Sequence, residues 1–218
     1  MPTMSHLLLL LGSSPPSGPG LQPTIDAISA ATATSSAILG PATFHANDDL
    51  QPKQLVTYEL SSRTAADAAL SILRSSSSAI EWRLYDALTS SSVHDFETTR
   101  TAVVLLVGMQ PPSPDSPPQE GKEGQEPILG EAEFHRWYDE EHTPLFARVP
   151  GWRRTARYAL RASSMDRARF LALHEWMSED AFESEEFRHA TGTKWRNEIV
   201  RRVDGETRER RVFAVRRM

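Results

Sequence analysis

Apolar positions along the chain switch between a period of two and a period near 3.6, and the switches mark its elements. Residues 6–11 form an almost continuous apolar run that predicts a buried first strand. Pro15, Pro16, Gly18, Pro19 and Gly20 then make a loop. A weak helical pattern covers 24–33. Strands are predicted near 42–45 and at 54–60. Residues 63–74 read as an amphipathic helix with Ala65, Ala69, Leu70, Ile72 and Leu73 near one side, and 79–88 as a strand. The second half repeats this order more clearly. An apolar strand is predicted at 101–109, followed by a Pro/Glu/Gly loop over 110–130 that has no periodicity. A helix over 131–141 and strands over 152–160 and 169–176 come next. Ser178, Glu179 and Asp180 open a helix that runs to about 203 with a break near Gly192, and the last strand covers 208–216.

Each half therefore has the order β-α-β-β-α-β, the split βαβ or ferredoxin-like arrangement. The fold class expected is α+β, with a degenerate repeat over 1–100 and a second repeat over 101–218. A sheet of this kind buries one face under its helices and leaves the other uncovered. Two such sheets in one chain can face each other and close a barrel around a central cavity.

Composition narrows the chemistry. The chain has 218 residues and no cysteine, which excludes disulfides, thiolate nucleophiles and cysteine-ligated metals. Net charge is -5, too mild for a nucleic-acid partner. Of the 53 charged side chains only 14 precede residue 101, and the C-terminal arginines (Arg201, Arg202, Arg208, Arg210, Arg211, Arg216, Arg217) alternate with acids. They are expected on a solvated face. The run at 7–11 is too short to span a bilayer, and no signal-type cleavage pattern accompanies it. A cytosolic protein with no membrane partner is expected. Gly18 and Gly20 lie between prolines and do not form a phosphate loop.

The chemical interest lies in 134–145, which holds Phe134, His135, Trp137, Tyr138, Asp139, Glu140, Glu141 and His142 before Pro144. At 100° per residue Phe134, Trp137, Tyr138 and Leu145 share a broad apolar face with Glu141 at its centre and His142 and His135 at its flanks. A carboxylate so placed needs a partner, such as Arg153, Arg154, Arg157 or a histidine ring. Pro144 disfavours helical geometry at Thr143, so the helix should end near His142 and favour its protonated form. On the strand over 169–176, Phe170, Ala172, His174 and Trp176 share one side and Leu171 and Leu173 the other. The leucine side suits helices, which would turn His174 and Trp176 toward the cavity. His45 and Tyr58 of the first half are candidates to face the same cavity.

The pattern Phe134-His135-x-Trp137-Tyr138-x-x-Glu141-His142-x-Pro144-Leu145, with Pro150-Gly151-Trp152 opening a strand, resembles the dimeric α+β barrel superfamily and within it the EthD-like branch. The likeness lies in 101–218; in 1–100 it is one of element order. It implies a cavity for a small, flat metabolite, since the superfamily hosts cofactor-free monooxygenases, cyclases, decarboxylases, isomerases and haem enzymes on one scaffold.

The expected function is a cofactor-independent lyase or cyclase acting on a small aromatic or polyketide-type substrate. His142 or His174 would serve as general acid/base, and Tyr138 would donate to a developing oxyanion. Glu141, Trp176, Phe170, Tyr58 and His45 would line the substrate. No metal or other cofactor is expected, and a homodimer is the one protein partner considered. A metal site of His135, Asp139, His142 and His174-Glu175, and the haem with a histidine axial ligand that the resemblance implies, are the competing cofactor readings. A cofactor-free monooxygenase and a non-catalytic ligand-binding or interaction protein are the alternative functions. In the non-catalytic case Glu141, His142 and Pro144 form a corner motif fastening the helix end.

Overall fold

A computed structural model of the chain describes residues 6–12, 21–32, 38–46, 50–75, 80–93, 101–112, 130–203 and 205–215. The prolines and glycines of 15–20, most of the 110–130 loop, and Arg216 and Arg217 lie outside the described residues. The first half contains β1 (His6–Gly12), α1 (Gln22–Thr32), β2 (Ile38–Ala46), β3 (Gln54–Leu60), α2 (Arg63–Ser75) and β4 (Glu81–Ser92). The second contains β5 (Val103–Met109), then α3 (Glu131–Trp137), a π-helical turn (Tyr138–His142) and α4 (Thr143–Phe146) in succession. After these come β6 (Trp152–Ser163), β7 (Phe170–Trp176), a 3-10 turn (Glu179–Glu183), α5 (Glu185–Gly192), α6 (Lys194–Arg202) and β8 (Glu209–Ala214). The break expected near Gly192 is present: Thr193 ends α5 and caps α6, its side chain accepting from the Arg196 N–H. No helix among the described residues is long and apolar enough to cross a membrane.

The eight strands close an antiparallel barrel in the order β1-β3-β2-β8-β5-β7-β6-β4. Within each half the spatial order is the same: fourth, first, third and second strand. The two seams between halves are unequal. β4 and β6 pair from Arg83↔Ser163 to Ser92↔Arg154, whereas β2 and β8 pair only at His45↔Ala214 and Ala46↔Phe213.

Closure gives every strand a narrow inner face and an outer face under helices. The inner face packs Leu7, Leu9, Leu11, Leu55, Leu106, Leu171, Leu173, Tyr85, Tyr158 and Phe213 into one buried cluster. Side chains fill the interior of a barrel of this size. The expected axial cavity is thus occupied by the protein's own residues. β1 is buried on both faces, so it reads as a continuous leucine run rather than an alternation.

Charges close this apolar interior at both ends. Arg154, on the face of β6 shared with Ala156 and Tyr158, donates to Glu175 at 2.5 and 2.8 Å and pairs with Glu59. Thr101 donates to the second oxygen of Glu175 at 2.6 Å. At the far end Arg83 donates to Glu209 and Glu81, each at 2.6 Å, and Arg167 joins Glu81. Arg211 departs from the solvated face expected for the C-terminal arginines. It shares the inward face of β8 with Phe213 and donates to the carbonyls of Gln51, Pro52 and Leu50.

Breaking a buried pair leaves an uncompensated charge, at a cost of about 3–5 kcal/mol. Arg154→Met should therefore lower the unfolding free energy in urea by that amount, because Glu59 and Glu175 both lose their cation. Arg201→Met, which removes an exposed pair with Glu198, should leave the urea midpoint unchanged.

Candidate functional site

The strand alternation holds, with its two sides reversed from expectation. Leu171 and Leu173 point into the barrel. Phe170, Ala172 and Trp176 pack in the layer between sheet and helices with Phe134, Trp137, Tyr138, Phe146 and Phe187, and His174 lies on that same side of the strand. The cause is shape: the convergent interior is filled by leucines with Tyr85, Tyr158 and Phe213, and the denser set of rings fits the wider layer beneath α3 to α5. Alternation alone does not say which side is which. Tyr58 also turns away from the barrel. It packs under α1 and donates to the Ile25 carbonyl at 3.2 Å. His45 lies on the face of β2 opposite Phe44, whose side chain is part of the interior. His45 and Tyr58 therefore do not join His142 and His174.

The helix does not stop at His142. Backbone torsions remain helical through Thr143 and Pro144, and α4 ends at Ala147. The wider i→i+5 turn absorbs the proline. The Thr143 N–H bonds to the Tyr138 carbonyl, one residue further back than in an α-helix. That extra residue rotates the rest of the helix about its axis. His142, not Glu141, then lies at the centre of the buried face, and Phe146 takes the place expected for Leu145.

Glu141 moves to the edge and becomes a latch. Its Oε1 accepts from the Trp137 indole at 3.2 Å and from the Thr193 hydroxyl at 2.6 Å. It does so without Arg154 or Arg157, which bond elsewhere. The π turn is thereby tied to the N-cap of α6.

Beneath the turn the structure brings together Tyr138, His142, His174, Trp176 and Arg157. The His142 ring stacks on Trp137 at 4.3 Å and meets His174 edge-on at 5.6 Å. Tyr138 lies parallel to His174 at 6.4 Å and under the Arg157 guanidinium at 4.1 Å. Arg157 also donates to His135 at 2.5 Å and pairs with Asp139 at 3.5 Å. Phe170 packs on Phe134 and His135. His189 is exposed on α5, and His6 pairs with Asp86 at 2.7 Å. His94 lies outside the described residues.

Nothing in the sequence marks Thr155, because its role depends on strand register. It lies opposite His174 in the β6–β7 ladder. Its Oγ1 accepts from the Trp152 indole at 3.1 Å and bonds His174 Nδ1 at 3.0 Å. With the indole on one lone pair, the hydroxyl has one proton and one further lone pair for Nδ1; where the proton goes to Nδ1, His174 carries its own on Nε2. Thr155 also forms part of the wall of a cleft of about 240 Å³ lined by Thr89, Ser90, Ser91, Asp139, Thr143, Pro144 and Ala147. The cleft thus comes within one side chain of His174.

Electrostatics keep both rings neutral. Burial first, then coupling to His174 and the positive charges of Arg196 and Arg157, push His142 well below the usual histidine range, which reverses the protonation expected at a helix end; the nearby Ala190 backbone opposes the shift. Burial, with Arg157 adding to it, brings His174 down to about 3. Burial raises the Tyr138 hydroxyl to about 12, so it stays a donor at neutral pH. Among the described residues no group of three His, Asp or Glu side chains is arranged to hold a metal ion. His174 and Glu175 point to opposite faces of β7, which separates two members of the competing ligand set.

The sequence matches no protein-family model and no curated protein. In fold the chain is similar to several solved structures. One is a proposed monooxygenase from Fusobacterium nucleatum subsp. nucleatum, at 11% identity over 98% of this chain and 93% of that one, with a TM-score of 0.56. A proposed chlorite dismutase is 10% identical over 99% and 96% of the two chains, with a TM-score of 0.55. A monooxygenase-like protein from Listeria innocua is 10% identical over 100% and 97%, with a TM-score of 0.52. At these identities the likeness is one of fold alone.

The depressed histidines set a pH dependence. Between the unfolded value near 6.5 and the native value, the unfolded chain binds the proton and the native chain does not, so stability falls as pH falls. Each such ring contributes a slope of about 1.4 kcal/mol per pH unit. Urea unfolding followed from pH 6 down to pH 4 should show this loss, and His174→Asn should flatten the slope by one proton.

Proposed function

We propose that this chain is a cofactor-independent enzyme of the lyase or cyclase type, acting on a small enolisable or phenolic aromatic metabolite. The observation that carries this reading is a division of labour between two buried neutral histidines beside a cleft. His142 Nδ1 is buried with no protein partner and takes the acceptor role, with the ring proton on Nε2. His174, held through Nδ1 by Thr155, presents Nε2–H as a free donor.

His142 Nδ1 takes a proton from the substrate, and His174 donates to the oxygen on which negative charge collects. A neutral imidazole suits that second role: the depressed pKa keeps the ring uncharged, and its weakly acidic N–H donates a hydrogen bond without giving up the proton. Tyr138 and Arg157 add a hydroxyl and a positive charge to the same environment. The depressed His142 pKa makes protonation costly until an enolate or phenolate lies beside it, so proton transfer is coupled to the bound substrate. Glu141 serves as the positioning latch of the π turn. Phe170 and Trp176 supply aromatic packing.

The same reading takes the chain as two repeats, 1–100 and 101–218, of EthD-like type, closing in one chain the barrel that two sheets build. Their shared strand order supports it. The layer beneath α1 and α2 is aliphatic apart from Tyr58 and Trp82, so one site per chain is proposed. A second reading, a cofactor-free monooxygenase in which the same carbanion reacts with O2, is favoured by the names of the fold neighbours.

Hydrogen–deuterium exchange at the α-carbon of 2-tetralone in D2O, followed by NMR with the full chain, tests the proton transfer. The expected result is catalysed exchange that falls by about 10²–10⁴-fold in His142→Gln, with oxygen uptake deciding between the two readings. Exchange unaltered in a folded His142→Gln protein would remove His142 from the chemistry and leave the corner-motif role.

A further inference from the structure

In the layer under the π turn, three buried polar atoms meet no protein partner: His142 Nδ1, His174 Nε2 and Trp176 Nε1. All three side chains are more than nine-tenths buried. A buried donor or acceptor left unmet is destabilising, and native proteins rarely tolerate several together. The three are neighbours. His142 and His174 are 5.6 Å apart between ring centres and nearly perpendicular, and Trp176 is 6.1 Å from His174 on the same face of β7. Phe146 contacts all three, at 4.3, 4.6 and 5.4 Å. One atom hydrogen-bonded to two ring nitrogens spans about 5 Å between them, which the histidine separation allows.

The tautomers specify what that atom is. His142 Nδ1 needs a donor, while His174 Nε2–H and Trp176 Nε1–H need acceptors. A carboxylate or ketone oxygen has no proton for Nδ1. An ammonium has no lone pair for the two N–H groups. A hydroxyl oxygen has one proton and two lone pairs.

We infer that His142, His174 and Trp176 form a hydroxyl-oxygen site, in which one O–H donates to His142 Nδ1 and accepts from His174 Nε2–H and Trp176 Nε1–H. Water fills it in the resting protein, and the phenolic or enolic hydroxyl of the substrate displaces that water. The substrate half rests on the acid–base reading above. It makes the bound form of the substrate a hydroxyaromatic or the enol tautomer of a ketone such as 2-tetralone. On transfer the O–H bond breaks and an N–H bond forms at His142 Nδ1. The electron pair stays on the oxygen, held by the two remaining N–H donors. Trp176 thus becomes a recognition residue as well as a packing one.

The test uses the full chain labelled with ¹⁵N-histidine. Long-range ¹H–¹⁵N spectra should show both histidines as neutral Nε2–H tautomers, with cross-relaxation between the His174 Nε2 proton and a bound water. That signal should vanish on saturation with 2-naphthol. 2-Naphthol should bind at least tenfold more tightly than 2-methoxynaphthalene, and the ratio should narrow in Trp176→Phe, which keeps a ring and loses the N–H. An Nδ1–H tautomer at His174, or no water contact in the free protein, overturns the oxygen site. Equal affinity for the two naphthalenes overturns the hydroxyl substrate. The water contact is read without turnover. If it holds while 2-tetralone exchange fails, the site stands and the acid–base function falls.

Discussion

Closure of the barrel is the constraint on which the rest of the molecule depends. Once eight strands meet around one axis, the inner side chains converge from all directions and the space for each is small. Leucines, Tyr85, Tyr158 and Phe213 fill it, and ion pairs centred on Arg154 and Arg83 close its ends. The wider layer outside the sheet is left for the rings. Every candidate side chain that came together did so there: Tyr138, His142, His174 and Trp176 lie beneath the helices. The candidate site and the structural filling are thus divided between two faces of the same strands, with the interior close-packed and the unmet polar atoms in the outer layer.

The π turn is the second decision, and it depends on the first. A helix that must cover an aromatic layer and also pass through Pro144 cannot keep an α register, because the proline lacks an N–H and crowds the preceding turn. The extra residue accommodates the proline and rotates His142 into the layer. The latch from Trp137 and Thr193 to Glu141 holds that register. The corner motif and the catalytic reading of this segment are therefore not exclusive: Glu141 fastens, and its fastening fixes where His142 points.

Much of this was legible in the amino-acid order. The β-α-β-β-α-β succession, the amphipathic α2, the break at Thr193 and the alternation of Phe170, His174 and Trp176 come from periodicity and capping, which are properties of neighbours along the chain. The stretch 134–145 also stands out by its density of rings and titratable groups, and two of its members are at the site. Thr155 carries no such mark, and Arg157 stands out only as one of three arginines that could pair with Glu141. Their importance comes from lying across a ladder from β7 or above the Tyr138 ring, contacts between residues about 20 positions apart.

The sequence by itself determined which strand residues share a face and roughly where most elements begin and end. Local sterics and hydrophobic periodicity act over a few residues, and this chain obeys them. Only the tertiary structure decided which of two equivalent faces looks inward, whether the helix ends or widens at Pro144, and whether His142 is charged or neutral. Each of these depends on the shape and polarity of a space enclosed by distant segments. The side chains that fill that space set the cost of placing a leucine, a proline or a proton there.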